Sequence, residues 1–163
     1  MSAAVTDAVW QVLGEADRAR VIAFWQRHGA LPYDTDPAAR ARQAAAVARI
    51  DGEIAGVATA EIDIVPQLDL RFAFFREYVA PDHRQGSVAL HLFRAAWQVM
   101  EAWSRAHPEE AVMGVAGIVQ GDALRTAARV TVHPPSGLAL AGYTPGGRQI
   151  RIRWFDHARV PLT

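Results

Sequence analysis

Six consecutive residues, Arg84-Gln85-Gly86-Ser87-Val88-Ala89, lie where a strand pattern gives way to a helical one. A turn that opens a helix leaves several backbone N–H groups without partners. Those donors, with the positive end of the helix dipole, make a natural anion site, commonly for a phosphate. Arg84 adds a full charge at its edge, and His83 beside it is a further group that could touch a phosphate. Two readings stand at this point. In one, a pyrophosphate sits here and the chain places something reactive beside it. In the other, this is a well-capped strand-to-helix turn.

The flanking elements must hold that turn. Leu70–Val79 is rich in aromatic and branched residues and reads as a half-buried strand, ended by Pro81. From Ser87 the polar residues Ser87, His91, Arg94, Gln98, Glu101 and Arg105 fall at steps of three and four, one narrow stripe on a long helix. The remainder of Val88–Trp103 is apolar, so most of its circumference is expected to be buried. Trp97 and Trp103 on this helix leave room for a homodimer.

The wider chain excludes several chemistries. Its 163 residues suit one domain, residues 1–163, with a real core. Formal net charge is zero, so no general attraction to nucleic acid or membrane is expected. Cysteine is absent, which removes disulfides, thiolate metal sites and a thiol nucleophile. Lysine is absent too, which removes a Schiff base and a Walker-type phosphate lysine. Histidines 28, 83, 91, 107, 133 and 157 have no metal-ligand spacing, so no metal is expected. Neither a nucleophile elbow, a dinucleotide fingerprint nor a P-loop occurs. The first ten residues lack a basic region followed by an apolar core, and no apolar run reaches membrane length. A cytoplasmic protein is the expectation.

In chain order, Ala8–Leu13 reads as a first strand and Glu15–His28 as an amphipathic helix stopped by Gly29 and Pro32. Asp36 caps a short helix from Pro37 to Gln43. Ala45–Ile50 and Ile54–Val65 form a hairpin about Asp51-Gly52. After the long helix, Ala111–Val119 is apolar without alternation and reads as a central strand parallel to Leu70–Val79. Ala123–Arg129 reads as a short helix. Leu138–Gly142 and Arg148–Phe155 pair as a final hairpin. In its last strand Ile150, Ile152 and Trp154 are expected to pack, and Arg151 and Arg153 to face solvent.

This order, with the stretch YVAPDHRQGSVALHLF, resembles the GNAT superfamily of acyl-CoA N-acyltransferases. Val79, Pro81, Arg84, Ala89, Leu92 and Phe93 carry the likeness. The family pattern is Arg/Gln-x-x-Gly-x-Gly/Ala, and Ser87 stands where it usually has Gly, with Gly86 one position earlier. The resemblance implies an α/β (α+β) fold. Its sheet is mixed and mostly antiparallel, with a central crossover from strand four through the third helix to strand five, and flanking helices.

The resemblance also implies a function: transfer of an acyl group from acetyl-CoA, or another acyl-CoA co-substrate, to a small-molecule or peptide amine by direct attack. The backbone of Gln85 to Ala89, hence Gln85, Gly86, Ser87, Val88 and Ala89, would hold the pyrophosphate. The pantetheine arm would run along Val79 where strands four and five part, with Gly114 and Gly117 leaving space or serving packing. The Val79 N–H would steady the oxyanion. Family members often use a strand-four carboxylate as base, but Phe72, Ala73, Phe74 and Phe75 hold those positions here. Glu77 and Glu61 are the alternatives, each also readable as a solvated strand charge. Tyr143 or Tyr78 would protonate the thiolate, or simply cap the core. Tyr33, Asp34 and Asp36 would attract the amine. The second reading is a catalytically silent GNAT-like domain that binds a ligand or a partner.

Overall fold

The computed structural model describes residues 2–120 and 129–161. Its elements are β1 (Val5–Ala8), α1 (Glu15–His28), α2 (Pro37–Arg42), β2 (Ala44–Ile50), β3 (Glu53–Val65), β4 (Leu70–Val79), α3 (Val88–Ala106), β5 (Val112–Ile118), β6 (Ala139–Tyr143) and β7 (Gln149–Trp154). Short 3-10 turns cover Pro81–His83 and Pro108–Glu110. The strands neighbour one another in the order β1-β2-β3-β4-β5-β7-β6. The β4–β5 pair is parallel, while β1–β2, β2–β3, β5–β7 and β6–β7 are antiparallel. The sheet is therefore mixed and mostly antiparallel, with the single β4-α3-β5 crossover that the sequence implied. The short helix expected at 123–129 falls largely outside the described residues.

Local chemistry explains the boundaries. Gly29 takes the left-handed conformation (φ 58) and ends α1. Asp36 accepts a hydrogen bond from the Ala38 N–H at 3.0 Å and starts α2. Asp51 (φ 52) and Gly52 (φ 83) are both left-handed, as a two-residue hairpin turn needs. The first strand lies earlier than its apolar pattern suggested. β1 pairs Val5 to Ala8 with Arg49 to Ala46, and the chain then turns, the Val12 N–H returning to the Val9 carbonyl at 3.0 Å.

The chain forms two compact units, Met1–Ala60 with Arg76–Val99, and Glu61–Phe75 with Met100–Thr163. In the first, Val21, Phe24 and Trp25 of α1 pack with Ala41, Val47, Val57 and Ala80. Each large side chain so buried contributes roughly 1.5–3 kcal/mol. In the second, Val65, Phe72, Met113, Ala116, Ile150 and Ile152 make the core. Arg71 reaches the Glu110 carboxylate at 3.1 Å, tying the start of β4 to the turn before β5.

The last strand departs from expectation. Arg151 is only 4% exposed, Arg153 is half-buried and Trp154 is exposed. The segment after Arg129 explains this. Arg151 donates to the carbonyls of Val130, Thr131 and Leu138 and to Gln149 Oε1, and Arg153 to the Ser136 carbonyl at 3.0 Å. The face read as solvated is covered by backbone that the two guanidiniums hold. Trp97 and Trp103 are half-buried, and Trp103 stacks on His107 with ring centroids 5.0 Å apart.

Candidate functional site

The mouth of α3 is built in steps from the end of β4. The Ala80 N–H bonds the Ala55 carbonyl at 2.8 Å, fixing the residue just after the strand to β3. His83 N–H returns to the Ala80 carbonyl at 2.9 Å, and Gly86 N–H to the His83 carbonyl at 3.4 Å. Ser87 then accepts the first helical bond, from His91 N–H at 3.0 Å, which makes Ser87 the N-cap. Serine at that position usually caps with its own hydroxyl, but no such bond forms here. Among the described residues, nothing accepts from the N–H groups of Ser87, Val88, Ala89 and Leu90. Arg84, Gln85, Gly86 and Ser87 are exposed, while Val88 is buried and anchors the first turn.

Arg84 does more than add charge. Its Nε donates to the Val79 carbonyl at 3.0 Å, and its guanidinium lies 5.2 Å from the Tyr78 ring centroid. Tyr78 in turn meets Phe24 edge-on at 5.9 Å and His28 at 5.9 Å. Arg84 is thus a brace between turn, strand end and α1, with the rest of its fork open to an anion. Tyr78 is one of the partly buried residues packed against the first core.

One residue of this arrangement is absent from the sequence reading. A Cβ on Gly56 of β3 would stand 2.8 Å from Leu92 Cδ1 and 3.2 Å from the Tyr78 carbonyl. Glycine there lets β3 sit close to α3 and to the end of β4 without displacing either. The signal was present, since a lone glycine inside a strand pattern marks close backbone approach.

Glu77 is reached by solvent, yet the protein around it is dense. Desolvation there raises its carboxyl to about 8. By strand alternation Glu77 shares a face with Val79. Glu77, Tyr78, Val79 and residues 84–89 all belong to the first unit; Glu61 and Tyr143 belong to the second. Glu61 is exposed. Tyr143 is 52% exposed, and its carbonyl accepts from Gln67 Nε2 at 2.9 Å.

The remaining expectations divide cleanly. Asp36 is a helix cap. Tyr33 is fully exposed and lines a cavity of about 300 Å³ with Trp25, Leu31 and Pro32. Phe72 is wholly buried in the second core. Gly114 is a packing glycine: a Cβ there would come within 2.9 Å of Phe72 Cε1 and closer still to the Arg153 carbonyl. Gly117 has open space, with Leu138 Cδ1 at 4.0 Å. No described helix is long and apolar enough to cross a membrane.

Known proteins place this geometry. No protein-family model and no curated protein matches the sequence. Solved structures do match. A phosphinothricin acetyltransferase of the GNAT superfamily from Sinorhizobium meliloti, solved with acetyl-CoA, superposes with a TM-score of 0.64 at 14% identity, over 95% of this chain and 90% of that one. A putative acetyltransferase from Salmonella typhimurium, also solved with acetyl-CoA, gives 0.60 at 13% identity over 98% of each chain. A GNAT-family acetyltransferase from Streptococcus pneumoniae gives 0.60 at 13% identity, over 94% of this chain and 99% of that one. Such likenesses extend over nearly the whole of both partners, and the chain therefore has the fold of the GNAT superfamily.

Proposed function

We propose that this chain is an acyl-CoA-dependent N-acyltransferase, with acetyl-CoA as donor and a small-molecule or peptide amine as acceptor. The observation that carries the reading is the open mouth of α3. Amides at Ser87, Val88, Ala89 and Leu90 lack acceptors among the described residues, and a Ser hydroxyl and the Arg84 fork stand at the same turn. A diphosphate supplies the acceptors that such a mouth lacks. Two neighbours of the same fold were solved with acetyl-CoA.

The chemistry then follows from the end of β4. An ammonium acceptor gives a proton to the ionised form of Glu77, which the raised carboxyl pKa makes a stronger base than an ordinary glutamate and confines to higher pH. The freed nitrogen attacks the thioester carbonyl carbon, forming a C–N bond and an oxyanion. The Ala80 N–H points to β3. N–H groups of successive strand residues point to opposite edges, so the Val79 N–H points away from β3 and is placed to donate to the oxyanion. The C–S bond breaks, and the CoA thiolate takes a proton from solvent.

Calorimetric titration of acetyl-CoA tests the mouth, and release of CoA thiol across an amine panel tests turnover. The chain has no cysteine, so a thiol reagent meets no background from the protein. The expected result is saturable binding, about tenfold weaker in Arg84→Ala, with turnover on at least one amine. Absence of binding to the wild type overturns the reading. Binding without turnover across the panel replaces it with the silent domain.

A further inference from the structure

We propose that a cavity between α1, α2 and the turn after β1 binds a small carboxylate carried on a short apolar stem. Val9, Gln11, Leu13, Arg18, Ala41 and Arg42 line this space of about 200 Å³. None of the six is acidic. Two of the carboxylates near it in sequence are engaged elsewhere, and Glu15 is exposed: Asp17 faces Arg20 and Arg49, each at 3.5 Å, and Asp7 pairs with Arg49 at 3.0 Å. Among the described residues, neither the Arg18 nor the Arg42 guanidinium has a hydrogen bond or an ion pair.

Two like charges on one hollow repel each other, and an anion between them removes that cost. A guanidinium fork matches the two oxygens of a carboxylate, and the Gln11 amide offers a further donor. The floor decides what the anion is attached to. Val9 and Ala41 belong to the first core, and Leu13 packs against it. Bare phosphate would leave that apolar floor wet, whereas a short alkyl stem would cover it. The volume lies below the ~300 Å³ at which drug-sized sites begin, so the ligand is small, an acid of about four to six carbons. The walls are held before any ligand arrives: Val9 N–H bonds the Ala45 carbonyl at 2.8 Å and Val12 N–H the Val9 carbonyl at 3.0 Å.

The test is a titration of the whole chain, without acyl-CoA, followed by backbone amide NMR shifts at Gln11, Leu13 and Arg18. The probes are butyrate, butyramide and inorganic phosphate. Butyrate is expected to give saturable shifts, with butyramide and phosphate at least tenfold weaker. Arg18→Gln and Arg42→Gln are each expected to weaken butyrate at least fivefold with unchanged melting temperature. Arg42 is exposed, so its variant tests the site without disturbing the core. Shifts that stay linear with concentration, phosphate binding as tightly as butyrate, or full affinity in both variants would overturn the proposal. So would displacement of butyrate by acetyl-CoA, which would assign the shifts to the mouth of α3.

Discussion

The mouth of α3 and the inner face of β7 are both places where donors crowd together, and they treat those donors in opposite ways. At β7, the Arg151 guanidinium is buried and bonded to three carbonyls and a side-chain amide. At α3, amides from Ser87 to Leu90 and the Ser87 hydroxyl have no acceptor among the described residues, and Arg84 uses its Nε in bracing Val79. Donors bonded within the protein hold a fold, whereas donors left at a surface can bond water or a ligand. The difference separates an arginine that supports structure from the turn proposed to take an anion.

The largest expected effect probes the reactive side of that contrast. Glu77→Gln removes the proposed base while keeping shape, so kcat/KM on an accepted amine should drop by about 10²–10³. Acetyl-CoA affinity should stay within about threefold, because Glu77 is not among the donors of the mouth. The wild-type rate should rise with pH through a limb near the raised carboxyl value of about 8, and the variant should lose that limb. A loss under threefold at high pH would remove Glu77 from the mechanism.

Arg151→Met probes the structural side. It leaves carbonyls of the 130–138 segment without their donor, while relieving the charge of its desolvation. A net loss of about 2–3 kcal/mol is expected, a fall in Tm of roughly 5–10 °C. Thermal melts would show it, and acetyl-CoA affinity measured well below the melt should be unchanged.

Much of this contrast was legible in the residues, and its limits have physical causes. The bounds of α1 and β4 follow from periodicity and punctuation, because Gly29 and Pro81 stop their elements by local sterics alone. The open mouth followed from the same local logic. Arg151 and Arg153 did not, since alternation says which residues share a face but not what covers it. Here a distant, irregular stretch does the covering. Glu77 was visible as a carboxylate, but its raised pKa depends on desolvation, which residue type alone does not give. Gly56 went unused for a similar reason: its importance lies in Leu92 and Tyr78, which no local pattern connects to it.

Gly56→Ala should therefore cost about 1–2 kcal/mol, since Leu92 can shift but the Tyr78 carbonyl at 3.2 Å cannot easily do so. Because it pushes Leu92 of α3 and the end of β4 away from β3, acetyl-CoA affinity should fall with stability. Denaturant melts and the calorimetric titration together would separate this outcome from that of Arg151→Met.

The next effect is smaller and depends on pH. The folded-state carboxyl of Glu77 lies near 8, against 4.5 for the ordinary side chain. Between those values the native state holds a proton that the unfolded state has released, so stability falls as pH rises through the window. Solvent access to Glu77 reduces the penalty well below what the shift alone implies. For a residual of about 1 kcal/mol, Glu77→Gln should melt about 2–4 °C above the wild type near pH 9, and the gap should close toward pH 5. A gap that is constant with pH would mean that the carboxyl is not desolvated.

The smallest expected effect falls on the glycine that the sequence pattern makes most conspicuous. Gly86 lies one position from the usual glycine of the phosphate turn, yet its φ is not left-handed, and a Cβ would meet only the His83 carbonyl at 3.8 Å. Gly86→Ala should change stability by less than about 0.5 kcal/mol. Acetyl-CoA affinity should stay within about threefold, because the turn already supports a Cβ at Ser87 and its amides remain open. A tenfold loss of affinity with unchanged stability would show that the diphosphate approaches the backbone at Gly86 itself, and would shift the anion seat one residue toward the strand.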